Sequence, residues 1–153
     1  MNRFVAVCLI AFIPTGVWSQ TVSDAALAEC QTEGASFAKV KDCLPVTEAA
    51  HQLLGAAVSP DFYGEAGKAI VAGCEAANKK SPERWVCVRS ALADAVALVK
   101  MVGTPEKIED KRLVGVTDDA ILQRLMAKQK EVDSALGLSG KFGVWPMMYF
   151  QMK

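Results

Sequence analysis

Four cysteines recur at a regular spacing and could either bind a metal ion or form disulfides. Cys30 and Cys43 lie 13 positions apart, and so do Cys74 and Cys87, with the second pair 44 residues after the first. Zinc sites favour thiolates separated by about two to four residues within each pair. A wider, repeated spacing of an even number of cysteines is more typical of disulfides in an oxidising compartment. We therefore predict two disulfides and no metal site.

The other side chains that could do acid–base chemistry are isolated or lie near a helix start. His51 is the only histidine, and a general base or zinc ligand would need partners, so we expect a structural or solvent-exposed role. Asp94 is the one acid in the apolar stretch 91–97 and could act as a general acid if buried, although a polar helix face would expose it. Asp61 and Glu65 could form a carboxylate pair of glycosidase type or complement a helix dipole.

Sequence motifs that define common enzyme classes do not occur in the chain. No serine has the glycine context of a nucleophile elbow, and neither a phosphate-binding loop nor a dinucleotide fingerprint is present. Cysteines held in disulfides cannot serve as nucleophiles. We therefore predict a non-enzymatic protein that uses no cofactor.

The N-terminus has the organisation of a secretory signal peptide. A short basic segment ending at Arg3 precedes an apolar run over 4–13, which is too short to span a bilayer. Val17-Trp18-Ser19 then offers a cleavage site before Gln20, so residues 1–19, including Cys8, are predicted to be removed. No later apolar run is long enough for a membrane span, and we expect a periplasmic or secreted protein. Lysines and arginines number 17 and acids 17, a balance that gives no basic footprint for nucleic acid.

Apolar residues recur with helical periodicity through most of the remaining chain. Stripes of this kind cover 46–57, 65–78, 82–102 and 118–136, and none alternates as a strand would. Three segments predict helix starts, because each places a hydroxyl residue before proline and an acid. These are Ser59-Pro60-Asp61, Ser81-Pro82-Glu83 and Thr104-Pro105-Glu106. Further starts are predicted at Ser23-Asp24 and Thr117-Asp118-Asp119, and helix ends at Gly103 and Gly137.

The helix pattern selects one of the three ways in which four cysteines can pair. The predicted turn at 78–82 lies about midway between Cys74 and Cys87, and a second turn at 34–36 lies near the midpoint of Cys30 and Cys43. Residues equidistant from the turn of an antiparallel helical hairpin face each other, so each pair should join one hairpin. The predicted fold is all-α: a small bundle of two disulfide-stapled hairpins with a C-terminal helix, over residues 20–139, followed by an aromatic tail.

The predicted tail, residues 140–153, is rich in aromatic residues and methionine. Trp145, Tyr149 and Phe150 are residue types enriched at binding surfaces and are candidates for contact with a partner. The alternative is that the tail packs back on the bundle as a hydrophobic cover, since exposed aromatic clusters favour aggregation.

One segment carries a resemblance to a known family. Cys30, a polar turn and Cys43 are followed by an amphipathic helix with Ala49, Ala50, Leu53 and Leu54. In this order of features, residues 29–56 resemble the cysteine-paired hairpin of the LprI-type lysozyme-inhibitor family, which are exported bacterial proteins. The family usually carries Asp, Leu-Asn and Tyr in that helix, where this chain has Glu48 and Leu53-Leu54. The resemblance implies a helical hairpin and an inhibitor activity.

These features predict an exported, non-enzymatic binding protein, for example an inhibitor or accessory subunit of an envelope protein. The alternative is a carrier that holds a small apolar ligand in a cavity between alanine-rich helices. The partner is accordingly either an unknown envelope protein or a small apolar molecule.

Overall fold

The computed structural model describes residues 22–33, 36–109, 114–139 and Trp145, and the regular structure within these ranges is entirely helical. The α-helices described in full are α1 (Asp24–Glu33), α2 (Phe37–Val58), α3 (Gly64–Ala77), α4 (Ser81–Val102) and α5 (Asp119–Ala135), with a 3-10 helix at Pro105–Lys107. The predicted all-α bundle is confirmed. The predicted signal peptide at 1–19 lies outside the described residues.

Helix α2 occupies the centre of the bundle and packs against α1, α3, α4 and α5. The core lies between these helices because each turns its apolar stripe inward. Its largest fully buried apolar side chains are Leu53, Trp85, Val88, Leu92 and Leu125. Helix α1 differs from the others, since it packs mainly against α2.

Both disulfides form as the sequence predicts. Cys30–Cys43 joins α1 to α2 with a Cα–Cα distance of 5.8 Å, and Cys74–Cys87 joins α3 to α4 at 5.7 Å. Two disulfides are typical of a protein that folds in an oxidising compartment. Within the described ranges, no helix is both long and apolar enough to cross a membrane.

Two of the predicted helix starts have capping hydrogen bonds. Asp118 caps α5 by accepting hydrogen bonds from the backbone of Ala120 and Ile121, and Thr104 caps the 3-10 helix by accepting from the amide of Glu106. The start predicted at Ser59-Pro60-Asp61 is wrong: Ser59 ends α2, and a turn over residues 60–63 precedes α3. The backbone of Ser59 accepts hydrogen bonds from the amides of Phe62 and Gly64, which closes this turn.

Candidate functional site

Glu29, His51 and Ser81 meet where α1, α2 and the start of α4 come together, and we call them the Glu29 cluster. Ser81 donates to the Glu29 carboxylate twice, from its backbone N–H at 2.7 Å and from its hydroxyl at 2.6 Å. The Nε2 atom of His51 lies 3.1 Å from the same carboxylate. Because an ionised carboxylate can only accept, Nε2 must carry the hydrogen in this bond. The cluster thus links one stapled hairpin to the other.

The motif at 81–83 predicted that Ser81 caps the helix that follows it, and this prediction is wrong. Helix α4 begins at Ser81 itself, and Lys80 occupies the capping position without a side-chain capping bond. The backbone N–H of Ser81 donates instead to the carboxylate of Glu29 on α1, 52 residues earlier in the chain. A carboxylate at this end of α4 is also favoured by the positive end of the helix dipole.

The Glu29 cluster contains the residue types of a serine–histidine–acid relay but not its geometry. In such a relay, histidine receives the serine proton through one ring nitrogen and is oriented by the acid through the other. Here one nitrogen, Nε2 of His51, faces both the Ser81 hydroxyl at 3.3 Å and Glu29. Ser81 is 1 % exposed, and its hydroxyl proton points to Glu29. We interpret the arrangement as a structural polar junction.

Glu48 forms a second carboxylate contact beside this cluster. It accepts from both the backbone N–H and the hydroxyl of Ser23, at 2.9 and 2.6 Å, and from the amide of Gln52 at 2.9 Å. Burial raises the pKa of the Glu48 carboxyl, but the hydrogen bonds from Gln52 and Ser23 outweigh this and leave it below the ordinary value. Burial likewise raises the pKa of Glu29, and its hydrogen bonds from Ser81 and His51 lower it overall. The fold thus favours both carboxylates in their ionised form.

A second polar group lies between α4 and α5. The indole N–H of Trp85 donates to Gln129, whose amide donates to the Oδ2 atom of Asp133. Arg89 lies near this group and is only 9 % exposed. Neither its Nε atom nor the buried Oδ1 atom of Asp133 has a hydrogen-bond partner. Burial lowers the pKa of the Arg89 guanidinium, while the charge of Asp133 partly opposes that effect. Arg89 is therefore held near Asp133 without forming a close ion pair.

Trp145 is the one described residue of the predicted tail. It is 2 % exposed and belongs to the hydrophobic core, and its indole N–H donates to Asp133 at 3.3 Å. At this position the tail packs on the bundle, as the hydrophobic-cover alternative proposed. Tyr149 and Phe150, the other two candidates for partner contact, lie outside the described residues.

The carboxylates considered for acid–base chemistry are all exposed. Asp94 lies on the solvent-facing side of α4, and Glu65 pairs with Lys68 at 2.5 Å on α3. Asp61 lies in the turn before α3, where its backbone carbonyl accepts from Arg124 at 2.6 Å. Within the described ranges no hydrogen bond joins one of these carboxylates to another, so the geometry offers no support for a glycosidase-type pair. Nor do the described histidines, cysteines and acids include a group that could hold a metal ion.

Phe37 is the most exposed large apolar side chain that the structure describes. It is the first residue of α2, at the end of the α1–α2 hairpin, and is 97 % exposed. Lys41 lies one turn further along the same side of α2 and is also exposed. The second most exposed is Met101, at 84 %, near the end of α4. Sequence reasoning missed Phe37, although its position off the apolar stripe and beside a predicted turn was a signal that it faces solvent.

The comparisons with known proteins returned no match, whether to a family model, a curated protein or a solved structure.

Proposed function

We propose that the protein is an exported, non-enzymatic binding protein that inserts Phe37 into an apolar pocket of a partner in the cell envelope. The exposure of Phe37 carries this proposal, because a phenylalanine in water forgoes the large hydrophobic gain that burial against a partner would provide. The periplasm or the exterior of the cell is the proposed location. The residue thus adds a contact point to the tail residues Tyr149 and Phe150 proposed from sequence.

The hairpin that carries Phe37 is suited to presenting a fixed side chain. Ser36 caps α2 by accepting from the amide of Lys39, which defines the helix start next to Phe37. The Cys30–Cys43 disulfide then ties this end of α2 to α1. A contact residue on a preorganised element loses less conformational entropy on binding, and aromatic residues are frequent contributors to binding energy.

The charge beside Phe37 favours a partner with an acidic pocket. Lys39 and Lys41 are both exposed within the first turns of α2, where Asp42 is also exposed, so two positive charges stand beside one negative charge. Glycoside hydrolases carry a pair of carboxylates in the catalytic cleft, so an aromatic side chain flanked by lysines is complementary to such a cleft. This chemistry agrees with the resemblance of residues 29–56 to the LprI-type family. We therefore propose a cell-wall glycoside hydrolase of lysozyme type as the partner class.

The experiment measures inhibition of purified lysozyme by the oxidised protein, using the rate of clearing of a cell-wall suspension. The wild-type protein should inhibit in a saturable manner. Phe37→Ala should weaken inhibition at least about tenfold, as expected for a central aromatic contact. Lys41→Glu should also weaken inhibition. This effect should be larger at low salt than at high salt, because ions screen the attraction between surface charges.

Met101→Ala is the matched control, since Met101 is another exposed apolar side chain on a different helix. It should leave inhibition unchanged. Equal inhibition by Phe37→Ala and the wild type would show that Phe37 does not contribute to binding. A wild-type protein that binds no lysozyme would refute the partner class, and photo-crosslinking from position 37 in the producing cell would then show whether any other envelope protein contacts this residue. The apolar-ligand carrier stays a prediction that no observation here favours.

A further inference from the structure

Helix α1 has a smaller apolar contact with the bundle than the other helices. Its buried apolar side chains are Ala26 and the disulfide-bonded Cys30. Leu27 is exposed to 36 %, so the largest apolar side chain of the helix contributes only part of its surface. Because hydrophobic stabilisation scales with buried apolar area, packing alone holds α1 weakly.

Hydrogen bonds to two carboxylates also attach α1 to the bundle. Glu29 holds α1 to α2 through His51 and to α4 through the backbone and hydroxyl of Ser81. Glu48 of α2 holds the start of α1 through the backbone and hydroxyl of Ser23. All five bonds end on carboxylate oxygens, and hydrogen bonds to charged groups are stronger than those between neutral groups.

We propose that α1 is a proton-released element: protonation of Glu29 and Glu48 detaches it from α2 and α4, while the Cys30–Cys43 disulfide keeps it tethered. Release would be local because the interface of α2 with α3, α4 and α5 is formed mainly by side chains that do not titrate, such as Leu53, Trp85 and Leu125. The protein would then have an acid form with its central helices still packed.

The direction of the pH dependence follows from the charges around each carboxyl. His51 of α2 is the titratable group that faces both Glu29 and Glu48, and the other contacts, from Ser81, Ser23 and Gln52, are made by groups that carry no charge. The pKa of each carboxyl is lowered in the folded protein, so each stabilises the attachment of α1 above its unfolded pKa. That stabilisation is lost as the pH falls through the folded pKa, so release belongs to the acid range.

Hydrogen exchange measured by mass spectrometry on the oxidised full chain tests this proposal. Protection of the α1 amides would be followed from neutral pH to about pH 3, below the ordinary carboxyl range, with correction for the intrinsic exchange rate. Peptides from α2 around Leu53 serve as the internal reference. We expect α1 to lose protection at least about tenfold at a higher pH than α2 does.

Glu29→Gln should lower α1 protection already at neutral pH by about tenfold, because the amide preserves shape but removes the charge that strengthens three bonds. Glu48→Gln should act in the same direction. Asp94→Asn is the control, since Asp94 is an exposed acid in the middle of α4 and far from either helix end, and it should behave as the wild type. If either Gln variant fails to fold, the pH series of the wild type decides alone. Simultaneous loss of protection in α1 and α2, or an α1 that stays protected in acid, would overturn the proposal.

Discussion

Replacement of Gly67 by alanine tests how closely α2 and α3 approach each other. A Cβ atom added at Gly67 would lie 2.1 Å from the backbone oxygen of Ala57 on α2 and 3.0 Å from the Cβ of Tyr63. The first distance is far below van der Waals contact, and the atom in the way belongs to a helix backbone that cannot rotate aside. The substitution therefore forces α2 and α3 apart or bends one of them.

Two effects of opposite sign decide the result. Glycine in a helix interior costs about 1 kcal/mol relative to alanine, so the substitution gains that amount from helix propensity. Overpacking in a close interface typically costs about 1–3 kcal/mol and sometimes more, and a backbone clash belongs at the upper end. We expect a net loss of about 2 kcal/mol in the free energy of unfolding. Gly73→Ala on the same helix should instead gain about 1 kcal/mol, because nothing lies within 4 Å of its added Cβ.

Urea denaturation of the oxidised protein, followed by far-ultraviolet circular dichroism, measures both variants against the wild type. The expected outcome is a lower midpoint for Gly67→Ala and a higher one for Gly73→Ala, with similar slopes. If Gly67→Ala were as stable as Gly73→Ala, α3 could not approach α2 as closely as the structure shows. The reasoning about this helix contact would then be refuted.

Two further predictions concern the second hairpin and the turn before α3. Replacement of both Cys74 and Cys87 by alanine removes the disulfide between residues 13 positions apart. The free energy of unfolding, measured by urea denaturation, should fall by about 3 kcal/mol. The Cys30–Cys43 disulfide is retained in this variant. Burial and the negative charges of Asp118 and Asp119 raise the pKa of Tyr63 to about 12, so stability should fall as the pH rises from about 10 towards that value. Tyr63→Phe should remove the most alkaline step from an ultraviolet absorbance titration and reduce this loss of stability; an unchanged titration would contradict the assignment.

The fold could be predicted because its determinants are local in the sequence. Helical periodicity, a capping residue such as Asp118 and a positive-φ glycine such as Gly103 each act within a turn or two. The disulfide pairing needed one further step, the position of each cysteine relative to a hairpin turn. That step is also local, because both partners lie 13 residues apart.

The Glu29 cluster could not be predicted, because its partners are distant in the sequence. Glu29 and Ser81 are 52 positions apart, and no periodicity or motif indicates which of the chain's 17 acids will meet Ser81. Their contact depends on how one hairpin lies against the other. The same holds for Trp85 and Gln129, which are 44 positions apart. His51 was expected to be structural or exposed to solvent, and the packing of α1 brings Glu29 to it as a hydrogen-bond partner.

The three hydroxyl–proline–acid motifs show how tertiary contacts change the role of one local pattern. Thr104 caps the helix that follows it, as the motif predicts. Ser59 ends the preceding helix, because its backbone carbonyl accepts from the turn that leads into α3. Ser81 starts a helix, but its hydroxyl donates a hydrogen bond to Glu29 of another hairpin. A serine that caps its own helix contributes to that helix alone, whereas Ser81 makes the start of α4 dependent on the charge of α1. Because of this contact between hairpins, protonation of Glu29 should weaken the hydrogen bonds at the start of α4. A substitution at Thr104 should affect only the helix that Thr104 caps.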